Sequence, residues 1–158
     1  MGEYTVTRNT TIAALPDRIY PLLVDLHEWQ RWSPWEDLDP DLHRDYSGAD
    51  SGVGAKYAWS GNRKAGKGTM EVIEVTEPTR VAVAVAFEKP MSSTSTSVFT
   101  MAPRGAQTEV TWTMTGPHSM FSRITAPLGL FDRMIGKDFE KGLAALKSVA
   151  EVSGGQRE

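Results

Sequence analysis

Turn-forming residues divide the middle of this chain into short segments, and this division limits the fold more than any other feature of the sequence. Between about residues 41 and 116, turn-forming groups recur at short intervals. They are Ser47-Gly48, Ser51-Gly52, Gly61-Asn62, Glu77-Pro78-Thr79, Lys89-Pro90 and Arg104-Gly105. Short segments between such turns are typical of antiparallel strands. We therefore predict a meander of six strands over this region.

Two of the predicted strands indicate what the faces of the sheet carry. In residues 79–87, the larger side chains that share one face are Val81, Val83, Val85 and Phe87. The residues on the other face are Ala82, Ala84 and Ala86. Because small side chains leave room for a bulky neighbour, we expect a helix or a ligand to lie against the alanines. In residues 109–115, Val110, Trp112 and Met114 alternate with threonines, which predicts a strand that lines an interior.

The last third of the chain changes to helical spacing. At about 100° per residue, one apolar stripe comprises Leu128, Phe131, Ile135, Phe139, Gly142, Leu143, Leu146 and Val149. This pattern predicts a long amphipathic helix on the sheet, and we expect Gly136 to separate it from a preceding helical segment. Residues 153–158 are rich in small and polar residues. We predict a single ligand-binding domain over residues 1–152 and a disordered tail over 153–158.

The first 35 residues carry a strand, a helix and most of the tryptophans. Residues 3–12 alternate loosely and contain four Thr together with Tyr4 and Val6, which favours a strand, whereas the apolar spacing after Pro16 favours a helix. A second short helix is expected to end near Pro34. Trp29, Trp32 and Trp35 lie within seven residues, so we expect a specific buried environment for this cluster.

Composition excludes several classes of function. The net charge of -3 gives no electrostatic reason to bind nucleic acid, and we expect none as a partner. The absence of cysteine excludes disulfides and thiolate chemistry, and it fits a cytoplasmic protein. No export signal and no run of about 18 apolar residues is present, so we expect no stable membrane insertion.

The sequence contains near matches to known motifs, and each fails on inspection. Residues 61–67 satisfy the first seven positions of a phosphate-binding loop. Gly68 then replaces the required Ser or Thr, and the pattern that follows is that of a strand. His27, His43 and His118 are widely spaced and lack a helical partner. We therefore expect no metal and no cofactor, and no catalytic residue is identified.

Aromatic and thioether side chains are the remaining candidates for a site. Each one fills a core as readily as it lines a pocket. As a set they suggest an apolar hollow, because a bent sheet closed by one helix is hard to fill completely. The predicted ligand-binding residues are Trp32, Trp35, Tyr57, Trp59, Met70, Val72, Trp112, Met114, Phe131, Ile135, Phe139 and Leu143.

A set of short motifs then resembles a known family. In order they are Trp32-Ser33-Pro34-Trp35-Glu36, Asp39-Pro40, Tyr46-Ser47-Gly48, Gly52-Val53-Gly54, Trp59-Ser60-Gly61-Asn62, Gly66-Lys67-Gly68 and the segment 136–147. Over about residues 4–151 the chain is similar to the polyketide cyclase/dehydrase and lipid-transport branch of the START-related (SRPBCC) superfamily. The resemblance implies an α+β helix-grip fold. In that fold a strand, two small helices and six further antiparallel strands curve around a long C-terminal helix, which closes a deep cavity.

The resemblance leaves more than one function open. We expect carriage or sensing of a hydrophobic small molecule, such as a lipid, a quinone or a polyketide-like aromatic, between the sheet and the C-terminal helix. One alternative is an enzyme of the polyketide cyclase/dehydrase type, with Tyr57 as a candidate hydrogen-bond donor. Another is an interaction module of the chaperone ATPase activator type. That module would use an apolar patch comprising Met120, Phe121, Ile124, Leu128 and Leu130.

Two further expectations concern assembly and access. Residues 117–135 contain Pro127 and Gly129, which interrupt helix propensity, so this segment is expected to be a mobile lid or a partner surface. We expect a monomer or a homodimer.

Overall fold

The structure is a computed structural model that describes residues 3–34, 39–62, 66–89, 93–117 and 128–155. Strand β1 opens the chain and is followed by helix α1, a 3₁₀ helix, six strands and helix α2. Their bounds are β1 Glu3–Ile12, α1 Pro16–Val24, the 3₁₀ helix Leu26–Arg31, β2 His43–Gly48, β3 Ala55–Ser60, β4 Lys67–Thr76, β5 Arg80–Lys89, β6 Ser93–Arg104, β7 Gln107–Pro117 and α2 Leu128–Gly155. This order confirms the predicted strand, two short helices, six-strand meander and long C-terminal helix.

The strands form one antiparallel sheet in the order β1-β7-β6-β5-β4-β3-β2. Strands β2 to β7 are neighbours in sequence order, so each pair is joined by a short connection. Strand β1 departs from this order because it pairs with β7, and Val6 lies opposite Met114. Strands β3 and β4 pair antiparallel, and β4 begins at Lys67, so the near match to a phosphate-binding loop leads into a strand and not into a helix.

Helix α2 lies against the face of the sheet that carries the larger side chains. The ring of Phe139 on α2 stacks on Trp112, and Trp112 shares its face with Phe99 and Val81 through cross-strand pairs. Ala84 and Ala86 point to the opposite face. Of the two alternatives for the alanine face, a helix or a ligand, the helix is therefore wrong. The bulkier valine face fills the space beneath α2, and burying those larger side chains removes more apolar surface from water.

Three polar contacts fix α2 along the edge strand β1. Arg8 Nε donates to Glu140 Oε2 at 3.0 Å, Lys147 Nζ donates to the Thr11 carbonyl at 2.8 Å, and the Ala13 amide donates to Glu151 Oε2 at 2.8 Å. Because these pairs advance together along both elements, α2 runs in the same direction as β1. The first two turns of α2 therefore lie toward the Glu3 end of that strand.

The helix continues through Gly136, so the predicted break at this residue is wrong. The glycine has a packing role instead: a Cβ atom there would collide with the guanidinium of Arg8. A glycine inside a helix costs only about 1 kcal/mol relative to alanine, which a long helix tolerates. The predicted tail over 153–158 overlaps the last turn of α2, and residues 156–158 lie outside the described part of the chain.

Two tryptophans of the cluster, Trp29 and Trp32, pack against helix α1. Pro16 lies in the first turn of α1, where its missing N–H costs little. Trp29 Nε1 donates to the Leu23 carbonyl at 3.0 Å, and Trp32 Nε1 donates to the Leu22 carbonyl at 2.8 Å. The two indoles therefore satisfy carbonyls that the end of α1 leaves without helical partners. Within the described ranges, no helix is both long enough and apolar enough to cross a bilayer.

Candidate functional site

The inner face of the sheet, defined as the face that carries Trp112 and lies under α2, is organised in rows of cross-strand neighbours. The deep row comprises Val81, Phe99 and Trp112, and it is flanked by the partly buried Val75 on β4 and Arg8 on β1. The middle row comprises Val72, Val83, Ser97 and Met114. Two open rows follow, and they comprise Tyr57, Met70, Val85 and Ser95, then Trp59, Gly68 and Phe87. Side-chain direction alternates along each strand, so all these residues share one face.

Exposure increases from the deep row to the open rows. The side chains of the deep row are fully buried. In the middle row Ser97 is 4% exposed and Met114 is 9% exposed. In the open rows Tyr57 and Met70 are still buried, whereas Val85, Trp59 and Phe87 are half-buried. The inner face is therefore closed at one end and increasingly accessible toward the other, which is the shape of a site that opens at the Phe87 end of β5.

A closed aromatic cluster fills the deep end. Its members are Trp29, Trp32, Phe99, Trp112 and Phe139, and all of them are buried. Trp112 and Phe139 stack with ring centroids 3.9 Å apart and planes within 6°. Trp32 meets Trp112 edge-on at 5.7 Å. Stacked and edge-to-face pairs at these distances are favourable beyond the area they bury, so this cluster holds α2, the 3₁₀ helix region and β7 together.

An open aromatic ladder continues on strands β2, β3 and β5. Its members are Tyr46, Tyr57, Trp59 and Phe87. Tyr57 stacks between Tyr46 at 4.9 Å and Trp59 at 5.9 Å, and Phe87 meets Trp59 edge-on at 5.2 Å. Tyr57 is 3% exposed, whereas the other three rings are half-buried. The ladder therefore presents aromatic surface that the described residues do not fully cover.

Gly68 sets the position of the Trp59 ring in this ladder. The two residues are cross-strand neighbours on the inner face. A Cβ atom at position 68 would lie 2.7 Å from Cη2 of Trp59 and 2.5 Å from the carbonyl oxygen of Ala86. Only a glycine therefore lets the indole lie across β4 toward Phe87.

The predicted site residues divide between these regions. Those at the closed end are Trp32, Val72, Trp112, Phe139 and Leu143, and all are buried. Those beside or within the open rows are Tyr57, Trp59, Met70 and Met114. Trp35 lies outside the described residues, as do the side chains of Phe131 and Ile135. The predicted lid, residues 117–135, also lies outside the described residues, except for the backbone at its two ends. The side chains of the predicted apolar patch are therefore not described either; they are Met120, Phe121, Ile124, Leu128 and Leu130.

The structure adds four residues that the predicted set omitted. Val85 and Phe87 were assigned to one face by their alternation, but only the pairing of β5 with β4 places them beside Met70 and Trp59. Ser95 and Ser97 lie in a run of alternating Ser and Thr from residue 92 to 97. Such a run carries no apolar signal, so the sequence gives no reason to place either serine on the inner face.

Charged and titratable groups with shifted pKa values lie away from the open rows. Burial, with a further contribution from the carboxylate of Glu77, raises the pKa of Tyr20 on α1. The hydrogen bond from the Ala13 amide, followed by that from Lys147, lowers the pKa of Glu151 near the end of α2. Across the described part of the chain, no three His, Asp or Glu side chains form a group able to hold a metal ion. The described rows offer rings, thioethers and hydroxyls to a ligand.

The alanine face carries a separate, half-open depression of about 380 Å³. It lies on the side of the sheet away from α2. Its lining includes Ala84 and Ala86 together with Thr69, Glu71 and Thr96. These residues point outward from β4, β5 and β6, and the hydroxyls and the carboxylate make the depression more polar than the inner face. The space left by the alanines therefore belongs to the outer surface.

Comparison with known proteins agrees with this architecture. No curated protein matches the sequence significantly. The Aha1 dimer from Colwellia psychrerythraea has a similar structure, with a TM-score of 0.67, 21% identity and coverage of 94% of this chain and 97% of that one. Protein CV1439 from Chromobacterium violaceum gives a TM-score of 0.66 and 16% identity, with coverage of 93% and 96%.

A third similar structure is DynU16, a putative protein in the dynemicin biosynthetic locus. Its TM-score is 0.65 at 15% identity, and the match covers 94% of this chain but 48% of that one. Identities at this level establish the fold, which is the predicted helix-grip fold, and leave function open. The sequence model of the family described as polyketide cyclase / dehydrase and lipid transport matches residues 3–151. The chain therefore belongs to the polyketide cyclase / dehydrase and lipid transport family of the SRPBCC superfamily.

Proposed function

We propose that this protein binds a hydrophobic small molecule between the inner face of the sheet and α2, and that it carries or senses this ligand. The observation that supports the proposal is the gradient of exposure on the inner face. The deep row is fully buried, whereas Val85, Trp59 and Phe87 in the open rows are half-buried although they point toward the interior side of the fold. A ligand that covers these side chains removes apolar surface from water.

The energetic gain from such a ligand is considerable. Each Å² of apolar surface removed from water contributes about 25 cal/mol, and an aromatic side chain can bury roughly 150–250 Å². Trp59 and Phe87 meet edge-on, so a ring-bearing ligand finds both a ring face and a ring edge. Met70 and Met114 add flexible thioethers that adapt to the outline of a bound molecule.

The proposal divides the predicted site residues by role. The proposed contacts are Tyr57, Trp59, Met70, Val85, Phe87 and Met114. Trp32, Val72, Trp112, Phe139 and Leu143 are proposed to support the site from the buried end. Trp35, Phe131 and Ile135 remain predicted contacts, because their side chains lie outside the described part of the chain. We also propose a cytoplasmic location, which the absence of cysteine supports.

Binding is tested by thermal unfolding in the presence of lipids, quinones and flat aromatic compounds. A ligand at about 100 times its Kd stabilises the folded state by about 2.7 kcal/mol, which raises the Tm by several degrees in a chain of this size. We expect at least one class to raise the Tm. If none does, the proposal is wrong. Native mass spectrometry of protein purified gently from its own host then identifies any ligand that co-purifies.

A matched pair of substitutions locates the binding site. Val85 and Val98 lie on adjacent strands and are both half-buried, but Val85 points to the inner face and Val98 to the outer face. Val85→Ala removes methyl groups from the proposed site and is expected to weaken binding about three- to tenfold. Val98→Ala makes the same chemical change on the other face and is expected to leave Kd unchanged. Equal effects of the two substitutions would contradict the assigned site.

A further inference from the structure

Ser97 is a buried polar side chain that differs from the other two in the described core. The three buried polar residues are Ser33, Ser97 and Thr108. Thr108 Oγ1 donates to the Ala14 carbonyl at 2.6 Å, and Ser33 also has a bonding partner. The Ser97 hydroxyl makes no hydrogen bond to any described residue, although the residue is only 4% exposed, and its oxygen is not one of the fully enclosed atoms that lack a partner. A hydroxyl that bonds no described residue and is not fully enclosed can form a hydrogen bond with a molecule that lies against this face.

The position of Ser97 relates this hydroxyl to the proposed ligand site. It lies in the middle row between Val83 on β5 and Met114 on β7, and Val83 is fully buried. The next inward-facing residue of β6 is Ser95, which is half-buried and lies opposite Val85 in the open rows. Strand β6 therefore places the Ser95 hydroxyl in the open rows and the Ser97 hydroxyl in the middle row, which is closer to the buried end.

The surroundings of Ser97 restrict the chemistry of a partner. The neighbours in the middle row and in the adjoining open row are apolar or hydroxyl-bearing, and none of them is charged. Burying a carboxylate or an ammonium group here would carry a large desolvation cost that no charged neighbour within these two rows offsets. A neutral hydroxyl or carbonyl oxygen carries a smaller cost, which a hydrogen bond with Ser97 offsets.

We propose that the ligand is a neutral, ring-bearing molecule with a hydroxyl or carbonyl oxygen at its deep end, and that Ser97 is the specificity-determining residue that bonds this oxygen. The inference rests on the proposed function and defines the class of ligand within it. Alcohols, phenols, ketones and quinones belong to this class. Pure hydrocarbons do not belong to this class. Acids that would have to place their carboxylate at the deep end, beside Ser97, do not belong to it either.

The test uses two probes of similar size, 2-naphthol and 2-methylnaphthalene, with calorimetric measurement of Kd. The wild-type protein is compared with Ser97→Ala. We expect Ser97→Ala to weaken 2-naphthol about tenfold and to leave 2-methylnaphthalene within about twofold, because only the first probe loses a hydrogen bond. If both probes bind but the substitution changes both equally or neither, this inference is overturned and the proposed function stands. If neither probe binds the wild-type protein, both fail.

A second measurement tests the premise without a ligand. The urea midpoint of Ser97→Ala should equal or exceed that of the wild-type protein, because the substitution removes a hydroxyl that makes no hydrogen bond to any described residue. Thr108→Val is the matched control, because it removes a buried hydroxyl that is bonded to Ala14, and it should lower the midpoint. A fall for Ser97→Ala as large as that for Thr108→Val would show that the Ser97 hydroxyl is already satisfied, and would overturn the inference.

Discussion

The closed aromatic cluster and the open aromatic ladder are built from the same kinds of side chain at similar spacing. Ring centroids lie 3.9 Å apart for Trp112 and Phe139 and 4.9 Å apart for Tyr46 and Tyr57, and both pairs are stacked. The two regions differ in what covers them. Trp112 is fully buried beneath Phe139 of α2, whereas Trp59 and Phe87 stay half-buried. Ring contacts alone therefore do not distinguish a core from a site.

The course of α2 accounts for this difference. Its polar contacts are with Arg8, Thr11 and Ala13 on and just beyond β1, and its ring contact is with β7. Strands β3, β4 and β5, which carry the open rows, lie toward the opposite edge of the sheet. A helix fixed along one edge fills one end of a curved sheet and leaves aromatic side chains accessible at the other. The position of α2 along β1 and β7 therefore determines which aromatic rings are buried in the core.

Replacing a phenylalanine in each region should give the largest contrast in stability. Phe139→Ala leaves a cavity beside Trp112 and is expected to lower the free energy of unfolding by about 3–5 kcal/mol. Phe87→Ala removes a ring that is only half-buried, and we expect a loss of about 1 kcal/mol. Urea unfolding measures both. Equal losses would break the distinction between the cluster and the ladder.

Two of the glycines in α2, Gly136 and Gly142, provide a sharper test of rigidity. A Cβ atom at Gly142 would lie 2.8 Å from Cδ of Pro34 and 3.1 Å from Cζ3 of Trp112, both ring atoms in packed surroundings. We expect Gly142→Ala to lower the free energy of unfolding by about 1–3 kcal/mol. At Gly136 the added atom meets the Arg8 guanidinium, which can turn away, and alanine gains about 1 kcal/mol in helix propensity.

The net change for Gly136→Ala is therefore expected to stay within about 1 kcal/mol of zero. The same chemical-denaturation assay compares the two variants. A large destabilisation by Gly136→Ala together with a neutral Gly142→Ala would mean that the edge contact at Arg8 is the rigid part of the interface. The conclusion that α2 is packed most rigidly at the closed aromatic cluster would then be wrong.

The smallest expected effect concerns the anchor at the end of α2. The folded-state pKa of Glu151 lies below its ordinary value because the Ala13 amide and then Lys147 bond the carboxylate. Its contribution to stability is therefore present above the unfolded-state pKa, and it is lost as pH falls through the folded-state pKa. Glu151→Gln should lower stability by less than about 1 kcal/mol at neutral pH.

That difference between wild type and Glu151→Gln should disappear as the solution is acidified below the folded-state pKa. Unfolding free energies measured over a pH series provide the check. A difference that persists or grows in acid would show that the Glu151 charge is not what fixes α2 at Ala13.

Much of the fold was predictable because local patterns and long-range packing agree. Alternation predicted the strands, and the helical stripe predicted α2. The side of the sheet that α2 covers was not predictable, since valines and alanines are both apolar. The break at Gly136 was predicted from local propensity, and the packing of Arg8 overrides that propensity.

The candidate site was less predictable than the fold. Aromatic content identified Trp59 and Trp112 together, yet one lies in the open ladder and the other in the closed cluster. That distinction depends on strand pairing and on the anchoring of α2, which connect residues more than a hundred positions apart, such as Arg8 and Glu140. Nothing in the sequence indicated Ser97 as a site residue, because strand pairing alone places it between the apolar side chains of Val83 and Met114.

The most direct test of the central claim is an NMR titration of the protein with methyl-labelled methionines. Met70 and Met114 lie in the open and middle rows, whereas Met101 is buried on the same face beyond the deep row. With 2-methylnaphthalene as the ligand, the account predicts concentration-dependent shifts of the Met70 and Met114 methyl signals and an unchanged Met101 signal. Shifts of all three signals alike, or of Met101 alone, would contradict a site that opens at the Phe87 end of the inner face.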